Sequence, residues 1–416
     1  MTMNNLSEII KASKVLLMNL SQSIPSTLHS VEKQKYIGEK IVLALPENHR
    51  LLLRKLIDSF LFKMREMEAS DIDFGGWGSN KMVWLRIHGQ KKPMLEWGTY
   101  EYEETDILIQ NLLMESQMNI LHNKRSVDFT YILDGYDGMP ARHRANAYFE
   151  LNSLALNMRA ISTKIWPYES YNFHSNVTKI FSLSHTKEGL ILITGITGSG
   201  KSTTLDSIVD LNNRTVNGHI IIIASPVEFV HKSNKCIIKH REVGSDTLSF
   251  KHGTIEALRQ DPDIIIIGEM RDPETIMAAL EVADSGHKVF STLHTSSAVE
   301  SIDRIIGEVP PIEQERVKNR LADVLKCVVS QKLVPSLDGK RVLAREIMVM
   351  IPSIKAAIKN NNTGEIYQMI AEGGKYGMIT MEQDLRRLFL SRKISMETAL
   401  NYANNKRRMQ QLLDSL

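Results

Sequence analysis

One octapeptide constrains this chain more than any other feature. Gly195-Ile196-Thr197-Gly198-Ser199-Gly200-Lys201-Ser202 fits G-x-x-x-x-G-K-[ST] at every fixed position. The apolar run Leu190–Thr194 before it reads as a strand, and a helix is expected from Ser202 onward. Glycines there let backbone N–H groups turn inward around phosphate oxygens, where side chains would block the approach. The following helix adds the positive end of its dipole. Residues Gly195 to Thr203 are therefore the expected phosphate cradle, with Lys201 reaching the outer phosphates and the Ser202 hydroxyl binding Mg²⁺.

A cradle of this kind needs a parallel sheet, and the flanking sequence supplies one. His219–Ala224, Asp263–Ile267 and Lys288–Leu293 are further short, β-branched apolar runs, and helical segments separate several of them. Continuous apolar strands alternating with helices indicate a sheet buried on both faces. The helix after Arg271 is well marked: Asp272 suits its N-cap, Pro273 its first position and Gly286 its end. Ser297 with Glu300, and Thr380 with Gln383, have capping-box spacing. The tail reads as helical.

In such a sheet the ligand sits at the carboxyl ends of the strands. Glu269 follows Asp263–Ile267 and is expected to hold Mg²⁺ through water or polarise the attacking water. Glu228, after His219–Ala224, is by spacing alone either a water-orienting base or an exposed loop carboxylate. His287 and His294 bracket Lys288–Leu293 and by spacing alone read as structural histidines. Arginines that answer phosphate charge are sought in Arg271 and in Arg142 and Arg144, which share one face of an alternating strand.

The rest of the chain divides by character. Residues 1–45 are read as a polar, partly helical extension, and 46–163 as a smaller α+β module opening on a core-facing helix with Leu53, Leu56, Phe60 and Met64. Within that module Asp106–Leu121 reads as one helix, Gln90–Pro93 as a turn, and Asp134–Pro140 as the turn between two strands. Residues 164–174 are read as a linker, and 175–416 as the sheet-bearing core with its helical tail. The net charge of +3 argues against a surface built wholly for nucleic acid, and no strand interleaves aromatic with basic residues. Cys236 and Cys327 stand apart and read as reduced core thiols. With no apolar run long enough to span a bilayer and no signal-peptide pattern, a cytoplasmic location is expected, with membrane association only through a partner.

Four stretches together carry a resemblance: Gly195–Thr204, Ser225-Pro-Val-Glu-Phe-Val-His231, Arg259–Asp272 and Ser285–Thr295. The chain resembles the secretion and type IV pilus ATPases from about Leu51 to its end, and Lys375–Asp384 is similar to the PilT-type retraction branch. The resemblance implies a RecA-like α/β core behind a PAS-like module, and a homo-hexameric ring that hydrolyses ATP with Mg²⁺ and works on an inner-membrane platform protein. It implies that Glu228 is the general base, Glu269 the Walker B acid, His287 and His294 a histidine pair, and Arg142 and Arg144 phosphate sensors. Retraction is the expected task, and a type II or IV secretion or conjugation machine is the alternative. Two departures stand out. Ala224 and Ser225 occupy positions usually held by Glu and Asp, and the tetracysteine zinc element of many assembly ATPases has no counterpart.

Overall fold

The computed structural model describes residues 3–136, 139–161 and 165–415. The chain forms two compact units, Met1–Thr163 and Lys164–Leu416. Residues 162–164, where the expected module and linker meet, lie outside the described residues, as does the centre of the expected turn at 137–138.

The first unit is a six-stranded antiparallel sheet in the order β3-β2-β1-β6-β5-β4. Its strands are β1 (Ala69–Gly75), β2 (Trp84–Ile87), β3 (Gln90–Pro93), β4 (Ser126–Tyr136), β5 (Met139–Glu150) and β6 (Ser153–Ala160). Its helices are α1 (Met3–Gln22), α2 (Ser30–Tyr36), α3 (Glu47–Glu66), α4 (Tyr102–Asn111) and α5 (Glu115–Lys124).

Three expectations are corrected here. The residues read as an extension are part of this unit's core. Leu6, Leu17, Ile37, Ile41 and Val42 are buried with Leu53, Phe60 and Ile72, and α1 packs on α3 and α4. Gln34 is fully buried, donating to Asp106 at 2.6 Å and accepting from Gln110 at 2.9 Å. Scattered apolar positions in a polar segment gave little periodic signal, and their partners lie far along the chain. Gln90–Pro93 is an edge strand. The turn is His88-Gly89, where φ of 48° and 84° is the left-handed pair a tight hairpin needs, and lysines with a terminal proline suit an unpaired edge. The single helix expected over Asp106–Leu121 is two, α4 and α5, because the chain turns at Leu112–Met114 and Gln117 caps the second start through Met114 N–H at 2.9 Å.

The second unit holds a seven-stranded sheet in the order β13-β12-β7-β11-β10-β8-β9. The strands are β7 (Gly189–Thr194), β8 (Gly218–Ala224), β9 (Cys236–Glu242), β10 (Ile264–Ile267), β11 (Lys288–Leu293), β12 (Leu325–Pro335) and β13 (Arg341–Val349). All are parallel except β13, an antiparallel edge. Ile264–Ile267 lies in register on Ile220–Ile223. Each buried isoleucine contributes about 1.5–3 kcal/mol relative to exposure, so this isoleucine pairing anchors the β10–β8 side of the sheet. Helices α6 (Ser175–Phe181), α7 (Lys201–Thr215), α8 (Phe250–Ala257), α9 (Pro273–Asp284), α10 (Ala298–Glu308) and α11 (Pro311–Val324) follow the chain in order, with α12 (Pro352–Lys359), α13 (Ile366–Glu372), α14 (Met381–Leu390), α15 (Met396–Tyr402) and α16 (Lys406–Asp414) in the tail.

The caps form as the sequence indicates. Asp272 accepts from Thr275 N–H at 2.8 Å, Pro273 opens α9, and Gly286 has φ 95° just beyond its end. Thr380 and Gln383 cap α14 reciprocally. Ser297 accepts from Glu300 N–H at 3.2 Å, but Glu300 reaches back one residue further than expected, to Ser296 N–H at 2.7 Å. The residues read as a linker also pack. Tyr168 is buried, its hydroxyl lies 3.0 Å from the Thr178 hydroxyl, and its ring joins Phe173 and Phe181 in an aromatic cluster.

A candidate nucleotide-binding site

Parallel strands bring their carboxyl ends to one rim, and the chain's chemistry gathers there. β7 ends into the loop Gly195–Gly200, and Lys201 opens α7. Gly198 and Gly200 have φ of 79° and 88°, conformations that side chains resist. At Gly195 space is the constraint: a Cβ would meet Ser199 Oγ at 2.4 Å and the Gln331 carbonyl at 2.5 Å. Ser199 Oγ is buried without a hydrogen-bond partner among the described residues. An orphaned hydroxyl inside a glycine-lined loop fits an anion.

Lys201 is folded back over the loop, donating to Gly195 O at 2.8 Å and Ile196 O at 3.2 Å. Burial holds its ammonium below the usual lysine range, Glu228 and Glu269 oppose that shift, and Arg271 reinforces it. The structure thus brings Glu228, Glu269 and Arg271 into electrostatic reach of Lys201. Arg271 is ion-paired with Glu269 at 2.8 Å, so the arginine sought for phosphate charge is engaged by the acid beside it. Glu269 is placed by Gly268, whose N–H donates to Ile223 O at 2.8 Å and whose carbonyl accepts from Thr292 Oγ1 at 2.6 Å. Glu228 sits exposed in an irregular segment after β8.

The two histidines part company. His294, at the carboxyl end of β11, is held below the usual imidazole range by burial and by the charges of Lys201, Arg271 and Arg304. His287 lies at the opposite end of the same strand, its Nδ1 3.0 Å from Ser285 Oγ. Seven steps along the strand at about 3.3 Å each separate it from His294 by roughly 23 Å, so within one chain His287 is no neighbour of the cradle. Arg142 and Arg144 belong to the first unit. They lie on one face of β5 with buried His143 on the other.

A pocket of about 520 Å³ continues from the loop and was not legible in the sequence. Ser199, Gly200, Thr203 and Thr204 form one wall, Trp166, Tyr171 and Asn172 another, with Arg341, Arg345 and Arg387 from β13 and α14. Arg345 builds the corner: its guanidinium donates to Tyr171 O and, at 3.1 Å, to Asn172 O, and lies 4.6 Å over the Phe173 ring. The aromatic density of Trp166–Phe173, unusual for a linker, was the available signal. Together the glycine loop and a cationic pocket that includes Trp166 and Tyr171 can take a phosphate chain and an attached planar group.

For magnesium, no cluster of three or more His, Cys, Asp or Glu side chains could hold an ion among the described residues. Magnesium usually keeps several waters and takes one or two protein ligands besides phosphate. Ser202 beside Lys201, with a single carboxylate such as Glu269, fits that donor set.

The chain is similar to several known proteins. A relative named type IV pilus retractation ATPase PilT, from Pseudomonas aeruginosa, is 39% identical over 299 residues, 72% of this chain and 85% of its own. A Neisseria gonorrhoeae twitching motility protein is 37% identical over 78% of this chain and 85% of its own. The crystal structure of the pilus retraction motor PilT with bound ADP superposes with a TM-score of 0.76 at 34% identity, covering 85% of this chain and 99% of that one. The model of the family described as Type II/IV secretion system protein matches residues 47–411, and the chain belongs to that family.

Proposed function

We propose that this chain is the ATP-hydrolysing subunit of a hexameric motor that drives pilus retraction. The observation that carries the reading is the loop Gly195–Ser202 with Lys201 in electrostatic reach of Glu228 and Glu269. Relatives named for pilus retraction and twitching motility, one solved with ADP, support it.

On binding ATP, Lys201 exchanges the Gly195 and Ile196 carbonyls for phosphate oxygens, and the loop amides and Ser199 hydroxyl complete the cradle. The pocket beside Thr203 and Thr204 receives the nucleoside. Ser202 and Glu269 would hold Mg²⁺, which neutralises phosphate charge when bound. Glu228 orients a water and accepts its proton as the water oxygen bonds the γ-phosphorus and the bond to ADP breaks. His294 and Arg271 border that reaction, and Arg142 and Arg144 are the proposed phosphate sensors of the first, PAS-like unit. In the ring, each turnover is passed as displacement to an inner-membrane platform protein. No helix among the described residues is long and apolar enough to cross a membrane.

The test is steady-state ATP hydrolysis by the purified chain, with size analysis. Wild type should turn over Mg-ATP as a hexamer, and Lys201→Ala should lose activity by on the order of a hundredfold or more. Undiminished turnover in that variant rejects the reading. The family description also covers type II and IV secretion systems. Neighbouring genes for a secretion channel in place of pilin would move the motor to that machine.

A further inference from the structure

The segment that carries Glu228 has almost no backbone support. From Pro226 to Ser233 no backbone–backbone hydrogen bond holds it among the described residues. Side chains hold it instead, at both ends. Val227 N–H donates to Glu242 Oε2 at 3.1 Å. Three residues beyond Glu228, His231 is gripped twice: its Nε2 lies 3.0 Å from Asp206 Oδ1, and its backbone N–H donates to His240 Nε2 at 3.0 Å.

The protons in this cluster can be assigned from chemistry. A carboxylate only accepts, so His231 Nε2 carries the hydrogen toward Asp206. A main-chain N–H only donates, so His240 Nε2 presents a lone pair. The His231 side chain is fully buried, and its Nδ1 has no partner among the described residues, which leaves the ring no second polar anchor. Its ring stands 4.7 Å from Phe229 at 64° and 6.0 Å from His240 at 8°. Asp206 and His240 therefore fix His231 from two separate elements.

Those elements matter. Asp206 sits on α7 four residues after Ser202, one helical turn along the same face. His240 lies on β9, two residues before Glu242. A base in a loop must be held within a fraction of an ångström of its water, and misplacement by about 1 Å can cost a hundredfold in rate. We infer that Asp206 and His240 are positioning residues for hydrolysis: acting through His231, they fasten the Glu228 segment to the helix that bears the phosphate loop. Neither touches substrate. This rests on the ATP-hydrolysis reading above.

The experiment is Mg-ATP turnover by full-length Asp206→Ala, Asp206→Asn, His240→Leu and His240→Gln, beside wild type and Glu228→Gln. Asp206→Ala and His240→Leu should each lower kcat about ten- to a hundredfold with the KM for ATP within about twofold of wild type. Asp206→Asn and His240→Gln keep an acceptor oxygen and should recover most of the loss. A merely structural staple would lower thermal stability without this split or this rescue. Unchanged kcat in both disruptive variants, a rise in KM alone, or no recovery in the conservative pair overturns the inference. Should Asp206→Ala fail to fold, the other three variants decide. If wild type itself fails to hydrolyse ATP, the ATPase reading has failed. If wild type is active and Glu228→Gln is not, while the Asp206 and His240 variants behave as wild type, only the positioning inference falls.

Discussion

Lys201 Nζ and the carbonyl oxygen of Gly195 lie 2.8 Å apart, closing the two ends of the glycine loop on each other. The loop is thus held in its curved form by its own lysine before any anion arrives. Crowding at Gly195 should make this closure intolerant of a methyl group, since the nearest obstacles include a backbone carbonyl that cannot swing away. Gly195→Ala is expected to weaken nucleotide binding at least tenfold while leaving the sheet folded. Titration with a fluorescent ATP analogue, beside far-ultraviolet circular dichroism, checks both halves.

Arg345 reaches two successive carbonyls, of Tyr171 and Asn172, with one planar fork. A lysine keeps the charge but not the planar fork, and so loses the paired donors and the plane that lies over the Phe173 ring. Arg345→Lys should therefore loosen the pocket wall opposite Thr203. We expect the KM for ATP to rise several-fold with kcat within about twofold. A fall in kcat at constant KM would show that the pocket does not receive the nucleoside.

Glu346 gives a pH dependence whose sign is fixed. Burial, with Glu382 nearby, pushes its carboxyl up to about 7 from an ordinary 4.5, against the hydrogen bond from Ala298 N–H. Between those values the folded state keeps a proton that the unfolded state has lost. The stability from this group is complete below about pH 4.5 and is lost as pH rises toward 7, on the order of 3 kcal/mol in all. Glu346→Gln keeps an acceptor for Ala298 and cannot ionise. Its melting temperature should exceed that of wild type at pH 8, and the two should converge near pH 4.5.

The N-terminal helices should be indispensable to the first unit. Leu17 is fully buried on α1, which packs on α3 and α4. Leu17→Ala is expected to cost about 2–5 kcal/mol, and removal of residues 1–45 to unfold the unit. Thermal melting of the truncated chain with an unchanged transition would contradict this.

What could be read in advance follows from where the information sits. Leu190–Thr194 was legible to within one residue because a strand buried on both faces is a near-continuous apolar run. The phosphate loop was legible because its conformation demands glycine at fixed places. Asp272 and Thr380 were legible because capping is local chemistry. The rest depends on partners distant in sequence. Arg345 meets Tyr171 across 174 residues, and Gln34 meets Asp106 across 72, so neither pairing leaves a local mark. His287 precedes Lys288–Leu293 and His294 follows it, so their opposite ends of the strand, and the structural reading of His287 from spacing, were legible too. The Asp206–His231 pairing left no local mark because its two members lie 25 residues apart on a helix and in a loop.

The one-way ordering of β7, β8, β10 and β11 has a practical side. Every residue assigned to chemistry in the second unit lies where these strands finish, so the places where they begin, near Glu188, Asn217 and Asp263, carry none of it. A dye or affinity tag attached at exposed Glu188 would sit a full strand length from the reaction. That makes it a natural station from which to watch the motor turn without slowing it.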